Sequence, residues 1–201
     1  MVFLMSTDIS KKARHLRAQL QKGLLRKPQR ATQIEGLCPA AVLVPIVNQA
    51  DNPHILLTRR AADHAHHAGQ ISFPGGKLAT QDETIEAAAL RETYEETGVK
   101  ACHIDILGHL ERHDTGTGFA IHPVVGWLEP GFSLVPCARE VAEIFTVPLD
   151  FLRMAEHYRV EKRDWRGQQH SFYVIDYGAY HIWGATALLL KRLQERVLEQ
   201  I

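Results

Sequence analysis

A single α/β domain with a mixed β-sheet packed between helices is the fold class this sequence predicts, and three features of its pattern predict it. Short apolar, β-branched runs recur along the chain, one internal helical segment interrupts them, and an apolar helical segment closes the chain. At 201 residues and 45% hydrophobic content there is enough material for one substantial core.

In chain order, Leu16, Leu20 and Leu24 recur at helical spacing among basic residues, which predicts an amphipathic helix. Residues 1–35 are therefore read as a helical extension packed on a domain of residues 36–201. Pro39 opens AAVLVPIV, and residues 54–60 read HILLTRR; both runs are expected as core strands bounded by Pro, Asn and Asp. Residues 61–78, rich in Gly, His and Ala and containing Phe73-Pro74-Gly75-Gly76, are expected as a structured loop that continues neither strand nor helix. From 82 to 97 the pattern turns helical, with Thr80 and Glu83 as a capping box and Gly98 as the stop. Residues 104–110, 119–128 and 141–147 follow as strands, 158–177 as a hairpin turning near Arg166 and Gly167, and 182–201 as the closing helix.

Composition excludes several functional classes. Lys+Arg and Asp+Glu both number 23, so no summed positive field exists to grip nucleic acid, and any phosphate binding must be local. No apolar run is long enough to span a membrane, and MVFLMSTDIS lacks the positive region of an export signal. The acid-free stretch from Lys11 to Arg30 shares its composition with organelle presequences but is read as a surface helix. Cys38, Cys102 and Cys137 are odd in number and have no CxxC spacing, which predicts free thiols in a reducing cytoplasm.

The chemistry concentrates on Glu92, Glu95 and Glu96, which a helix places on one face at i, i+3 and i+4. Ala89, Thr93 and Thr97 form a small-residue stripe that lets the same helix lie close to a sheet. Like charges at this spacing destabilise a helix by only about 0.2–0.5 kcal/mol per pair, so crowding alone equally describes a solvated acidic face. The surroundings point elsewhere. Gly75-Gly76, an acid at Asp82 or Glu83, and Arg91-Glu92-x-x-Glu95-Glu96-x-Gly98 together resemble the Nudix box. Eight residues rather than the usual seven precede Arg91, leaving the acidic position open between Asp82 and Glu83, and Thr93 stands where an aliphatic is usual.

This resemblance implies a Nudix-type α/β/α sandwich and metal-dependent cleavage of a phosphate anhydride. It implies Mg²⁺ or Mn²⁺ on Glu92, Glu95, Glu96 and the carbonyl of Gly76. Hard cations prefer oxygen ligands and bridge to substrate phosphates, where they neutralise charge and lower the pKa of an attacking water. Arg91, four residues before Glu95, is placed to fix its rotamer. For the general base the helix carboxylates, Glu140 and Glu143 are candidates, with Glu140 taken as the catalytic member of the last pair.

Upstream, LLTRRAADHAHHAGQISFPGG from Leu56 to Gly76 resembles the additional signature of coenzyme A pyrophosphatases within that family. Leu56, Leu57, Thr58, Arg60, Ala61, Gly69, Phe73, Pro74, Gly75 and Gly76 match; Ala65 stands where a basic residue is expected, with His64, His66 or His67 as substitutes. PAAVLVPIV, FTVPL and IWGATA are similar to the same subfamily. The resemblance implies cleavage of coenzyme A or its thioesters to 4′-phosphopantetheine, or its acyl form, and 3′,5′-ADP, with Arg60, His67, Gly69 and Phe73 on the substrate. Arg59 and Arg60 alternate along a strand, so only one faces the site, and Arg60 is the choice. Zinc on HAHH lacks a fourth ligand nearby. Trp183 beside Gly184 suits nucleotide stacking, though core packing is the simpler role. The alternatives are another nucleoside diphosphate derivative, such as ADP-ribose or a dinucleotide, and a non-catalytic nucleotide sensor, which has no need of the full glutamate set.

Overall fold

The computed structural model describes residues 2–28, 36–49, 52–61, 69–79, 82, 84–165 and 167–200, with side chains from residue 13 onward except at 165. Helix α1 (Val2–Gly23) precedes strands β1 (Cys38–Val47), β2 (His54–Arg60), β3 (Ile71–Ser72) and β4 (Gly75–Lys77). Helix α2 (Ile85–Thr97) leads to β5 (Ile104–His109), β6 (His113–Asp114), β7 (Phe119–Leu128) and β8 (Val141–Pro148). The short helix α3 (Leu149–Arg153), strands β9 (Arg159–Trp165), β10 (Gln168–Tyr177) and β11 (Tyr180–Trp183), and helix α4 (Ala185–Arg196) complete the chain.

The main sheet runs β3-β2-β1-β7-β5, with β4 added to β1, β6 to β7 and β8 to β2. Among the described residues only β1 and β7 pair in parallel, in register from Cys38 opposite Phe119 to Val47 opposite Leu128. A parallel pair of this kind needs cover on both faces, which is why both strands read as near-continuous apolar runs. Alternation then divides their side chains. Val44, Ile46, Val125, Trp127, Phe145 and Val147 enter one core with α4 and the end of α1, whereas Ala41, Leu43, Val47, Val124 and Leu128 enter the other beneath α2. The expected mixed α/β layering is thus present. A second, three-stranded antiparallel sheet, β11-β10-β9, adds Ile175 and Ile182 to the first core.

Several boundaries differ from the sequence expectation, each for a local reason. Gly75 to Lys77 is not loop: without Cβ atoms the glycines lie against β1 and pair antiparallel with Ala40 to Val42. Helix α2 starts at Ile85, where the Thr84 hydroxyl accepts from Ala87 N–H at 3.0 Å; Thr80 and Glu83 lie outside the described residues. Ile182 and Trp183 belong to β11 because they pair with Ile175 and Val174, and α4 begins only after Gly184, whose φ of 66° no helix interior accommodates.

The first helix is tied into the domain. Leu20 and Leu24 are core residues, Leu16 packs against them, Arg17 pairs with Asp105 at 2.9 Å, and Arg196 Nε donates to Gly23 O at 2.5 Å. Among the described residues no helix is long and apolar enough to cross a membrane. Cys38, Cys102 and Cys137 are free thiols.

Since Leu20 is fully buried, Leu20→Ala is expected to lower unfolding stability by about 2–5 kcal/mol, the usual range for a core leucine. Urea denaturation checks this. A loss below about 0.5 kcal/mol would show that α1 docks without supporting the core.

Candidate active site

Helix α2 lies close to the sheet because its buried stripe is small. Ala88, Ala89, Thr93 and Thr97 are fully buried, and both threonine hydroxyls are satisfied within the helix, Thr93 Oγ1 donating to Ala89 O at 2.7 Å and Thr97 Oγ1 to Thr93 O at 2.6 Å. Where the helix faces β4 there is no room for a methyl group: a Cβ on Gly76 would lie 2.4–2.6 Å from the Glu92 carboxylate, and one on Gly75 would lie 2.4 Å from Ala41 O. At the far end Gly98, at φ 77°, closes the helix by donating its N–H to Tyr94 O.

Arg91 organises the acidic face. Its Nε and Nη2 grip Asp82 at 3.0 and 2.8 Å, while Nη1 reaches Glu92 at 2.8 Å and Glu95 at 3.1 Å. Nη2 also donates to Lys77 O at 3.3 Å. The Arg91 hydrogen bond holds the Asp82 carboxyl below its ordinary range, and Asp82 accepts from Ala79 N–H at 2.7 Å as well. Asp82 is therefore the acid bound to Arg91; Glu83 lies outside the described residues.

Glu96 is the unusual member. It is only 3% exposed, and its Oε2 is buried with no hydrogen-bond partner. Burial pushes its carboxyl up to about 8; the charges of Glu140 and Glu92 add to the rise, and Arg60 and a hydrogen bond from the Gly75 backbone oppose it. Burial likewise raises Glu92, against the pull of Arg91. Glu95 is half-exposed. Among the described residues no group of three or more His, Cys, Asp and Glu side chains is arranged to hold an ion, and Arg91 engages Glu92 and Glu95.

The expected site residues separate into those brought together and those left apart. Arg60 acts electrostatically on Glu96, and Glu140 acts on both Glu92 and Glu96, although they come from β2 and the turn before β8. Arg59 and Glu143 pair with each other at 2.9 Å on the opposite face, where the Tyr180 hydroxyl donates to Glu143 at 2.7 Å. Gly69, at φ 70°, donates its N–H to Arg60 O at 3.2 Å, and Ala61 N–H donates to Glu140 O at 2.9 Å. The ends of the histidine-bearing segment thus sit beside Arg60 and Glu140; His64, Ala65, His66 and His67 lie outside the described residues. Phe73 must be corrected: it is 3% exposed in the core on the far face and has no surface to offer a substrate. Trp183 is half-buried, with its ring edge-on to Phe172 at 5.7 Å and the Arg163 guanidinium at 5.2 Å. Sequence reasoning had no means of foreseeing the walls beside Glu95, Tyr94 and Phe132, because nothing in their spacing distinguishes them from ordinary surface aromatics.

Glu96 carries a pH consequence. Its ordinary value is 4.5 and its folded value about 8, so the stability contributed by its proton is complete below pH 4.5 and is lost as pH rises through 8. In chelator, Glu96→Gln is therefore expected to gain on wild type in urea midpoint between pH 6 and pH 9. An equal gap at both pH values would show that Glu96 is not buried as a neutral acid.

Comparison with known proteins agrees with this architecture. The NUDIX domain model matches residues 38–162, more than half of the chain. A protein of Photorhabdus laumondii, described as an uncharacterized Nudix hydrolase NudL, is 41% identical over 158 residues, covering 79% of this chain and 84% of its own. A Yersinia enterocolitica protein of the same description is 35% identical over 190 residues, covering 94% and 96%. A crystal structure of a Deinococcus radiodurans protein superposes with a TM-score of 0.51 at 14% identity, over 82% of this chain and 89% of that one, a likeness of fold alone. On its matching domain, its relatives and the glutamate helix packed against Gly75 and Gly76, the chain belongs to the Nudix family of hydrolases.

Proposed function

We propose that the protein hydrolyses the diphosphate of coenzyme A or its thioesters, releasing 4′-phosphopantetheine, or its acyl form, and 3′,5′-ADP. The observation that supports the reaction class best is Glu96: a buried carboxylate with an unpartnered oxygen, beside Glu92 and Glu140 and across from Arg60. A carboxylate in that position is stabilised as an anion only when a cation joins it. The groups that would hold such a cation, Glu92, Glu95, Glu96 and the Gly76 carbonyl, all offer oxygen, which suits a hard divalent ion. Mg²⁺ or Mn²⁺ bound there would neutralise diphosphate charge and acidify the attacking water.

The protein's own groups account for the rest. Arg91, locked by its two bonds to Asp82, keeps a fixed positive charge against Glu92 and Glu95 and restricts the directions they can take. Glu95, half-exposed, turns from Arg91 at little cost, because a solvent-facing ion pair is worth only about 0–1 kcal/mol. Arg60, at the end of β2, would offer a charge-assisted contact to a phosphoryl oxygen. Glu140, whose charge acts on Glu92 and Glu96, would take the proton of a water attacking phosphorus. The coenzyme A assignment is supported by the run from Leu56 to Gly76, whose described ends are anchored beside Arg60 and Glu140.

Turnover is expected to require divalent metal, and Glu95→Gln or Glu96→Gln is expected to lower it about a hundredfold or more in a folded protein, roughly 2.7 kcal/mol of lost transition-state stabilisation. A folded Glu95→Gln, Glu96→Gln double variant with wild-type turnover would remove these residues from the mechanism. Catalytic efficiency is expected to be higher for coenzyme A than for dephospho-coenzyme A, ADP-ribose, a dinucleotide or nucleoside triphosphates, and to rise with Ala65→Arg. A preference for ADP-ribose at every pH, with no gain from Ala65→Arg, would withdraw the coenzyme A assignment and leave the diphosphate hydrolase.

A further inference from the structure

The loop between β7 and β8 folds back over the C-terminal end of α2 and leaves a cavity of about 650 Å³. This is the size of a small-molecule site. Helix α2 contributes Tyr94 and Glu95 to its walls, the turn before β5 contributes Lys100 and His103, and the loop contributes Phe132 and Cys137. Backbone hydrogen bonds hold the loop in place: Val135 N–H donates to Thr97 O at 2.8 Å and Cys137 N–H to Glu96 O at 3.0 Å. These bonds also satisfy carbonyls that the end of α2 would otherwise leave open, so loop and helix terminus are set together. The His103 and Phe132 rings stand 6.3 Å apart at a tilt of 54°, and Tyr94 keeps about half of its surface exposed.

Glu95 connects this cavity to the reaction centre. It lines the cavity and is also bonded to Arg91 within the glutamate cluster, so a molecule whose diphosphate lies over the cluster has the cavity as its next space. We propose that the cavity receives the purine ring of the substrate nucleotide, stacked on Tyr94 and Phe132, with Lys100 meeting a phosphate on the ribose. The inference rests on the nucleotide reading above and deepens it. Aromatic faces suit a flat heteroaromatic ring, and a lysine ammonium suits a phosphate as a point charge. The pantetheine arm, with amides but neither ring nor charge, would use none of these groups.

Cys137 provides a reporter inside the cavity, and Cys102, exposed, an internal reference. Alkylation by N-ethylmaleimide, followed site by site with peptide mass spectrometry, is expected to slow at least fivefold at Cys137 in saturating 3′,5′-ADP and to be unchanged at Cys102. Tyr94→Ala is expected to abolish this protection and, with Phe132→Ala, to raise KM for coenzyme A about tenfold, the change falling on KM rather than kcat, with Tyr94→Phe restoring it. Tyr94 is exposed enough that its replacement should not disturb folding. Protection of Cys137 by 3′,5′-ADP in a protein that does not hydrolyse coenzyme A would keep the cavity assignment and overturn the substrate. Hydrolysis of coenzyme A with wild-type KM in Tyr94→Ala and Phe132→Ala, or protection by 4′-phosphopantetheine and not by 3′,5′-ADP, would keep the substrate and overturn the cavity assignment.

Discussion

The close approach of α2 to β1 and β4 is the contact on which the other features of the site depend. A helix carrying leucine or phenylalanine at positions 88, 89, 93 and 97 would stand farther from the sheet, since interaxial and interlayer distances follow the side chains at the contact. With alanine and threonine there, and glycine at 75 and 76, the helix sinks until the Glu92 carboxylate touches the backbone of Gly76. That depth is what removes Glu96 from water. Position on the helix would leave Glu96 beside Glu92 and Glu95 in any case; only the depth of packing makes its environment different from theirs.

The electrostatic consequence opposes stability. A neutral or metal-free Glu96 leaves a buried oxygen unpartnered, which costs about 1–3 kcal/mol for a group of this kind. The fold tolerates this because the surrounding core is extensive on both faces of the sheet and because Arg91 ties Asp82 and the Lys77 carbonyl to the helix. Local departures from the rule that buried polar atoms are paired concentrate where a ligand is to be received.

Strand alternation makes the second selection. Arg59 and Arg60 are neighbours on β2, Glu143 lies on the adjacent strand β8 and Glu140 just before that strand, and yet each pair is divided by the sheet. Arg59 and Glu143 meet each other and Tyr180 on the α4 side, while Arg60 and Glu140 act on Glu96 on the α2 side. The pairing of β2 with β8 shifts register between Arg59 and Arg60, at the point where the strand passes the site. Irregularities of this kind re-aim side chains at strand edges.

What the sequence by itself determined is local. The short apolar, β-branched runs located β1, β2, β7 and β8, the spacing of Glu92, Glu95 and Glu96 fixed their shared helix face, and Gly98 marked the helix end, because each of these follows from the residues within a short stretch of chain. The sheet alternation even separated Arg60 from Arg59. What only tertiary structure decided is everything that depends on distance between segments: that Asp82 closes on Arg91, that Gly75 to Lys77 is a strand, that Ile182 and Trp183 pair rather than begin the closing helix, that Phe73 points into the core, and that Tyr94 and Phe132 share a cavity. Phe73 shows the reason most directly. A signature residue beside two glycines has the same sequence environment whether it faces a ligand or the interior, and only the direction in which the sheet closes over it decides between them.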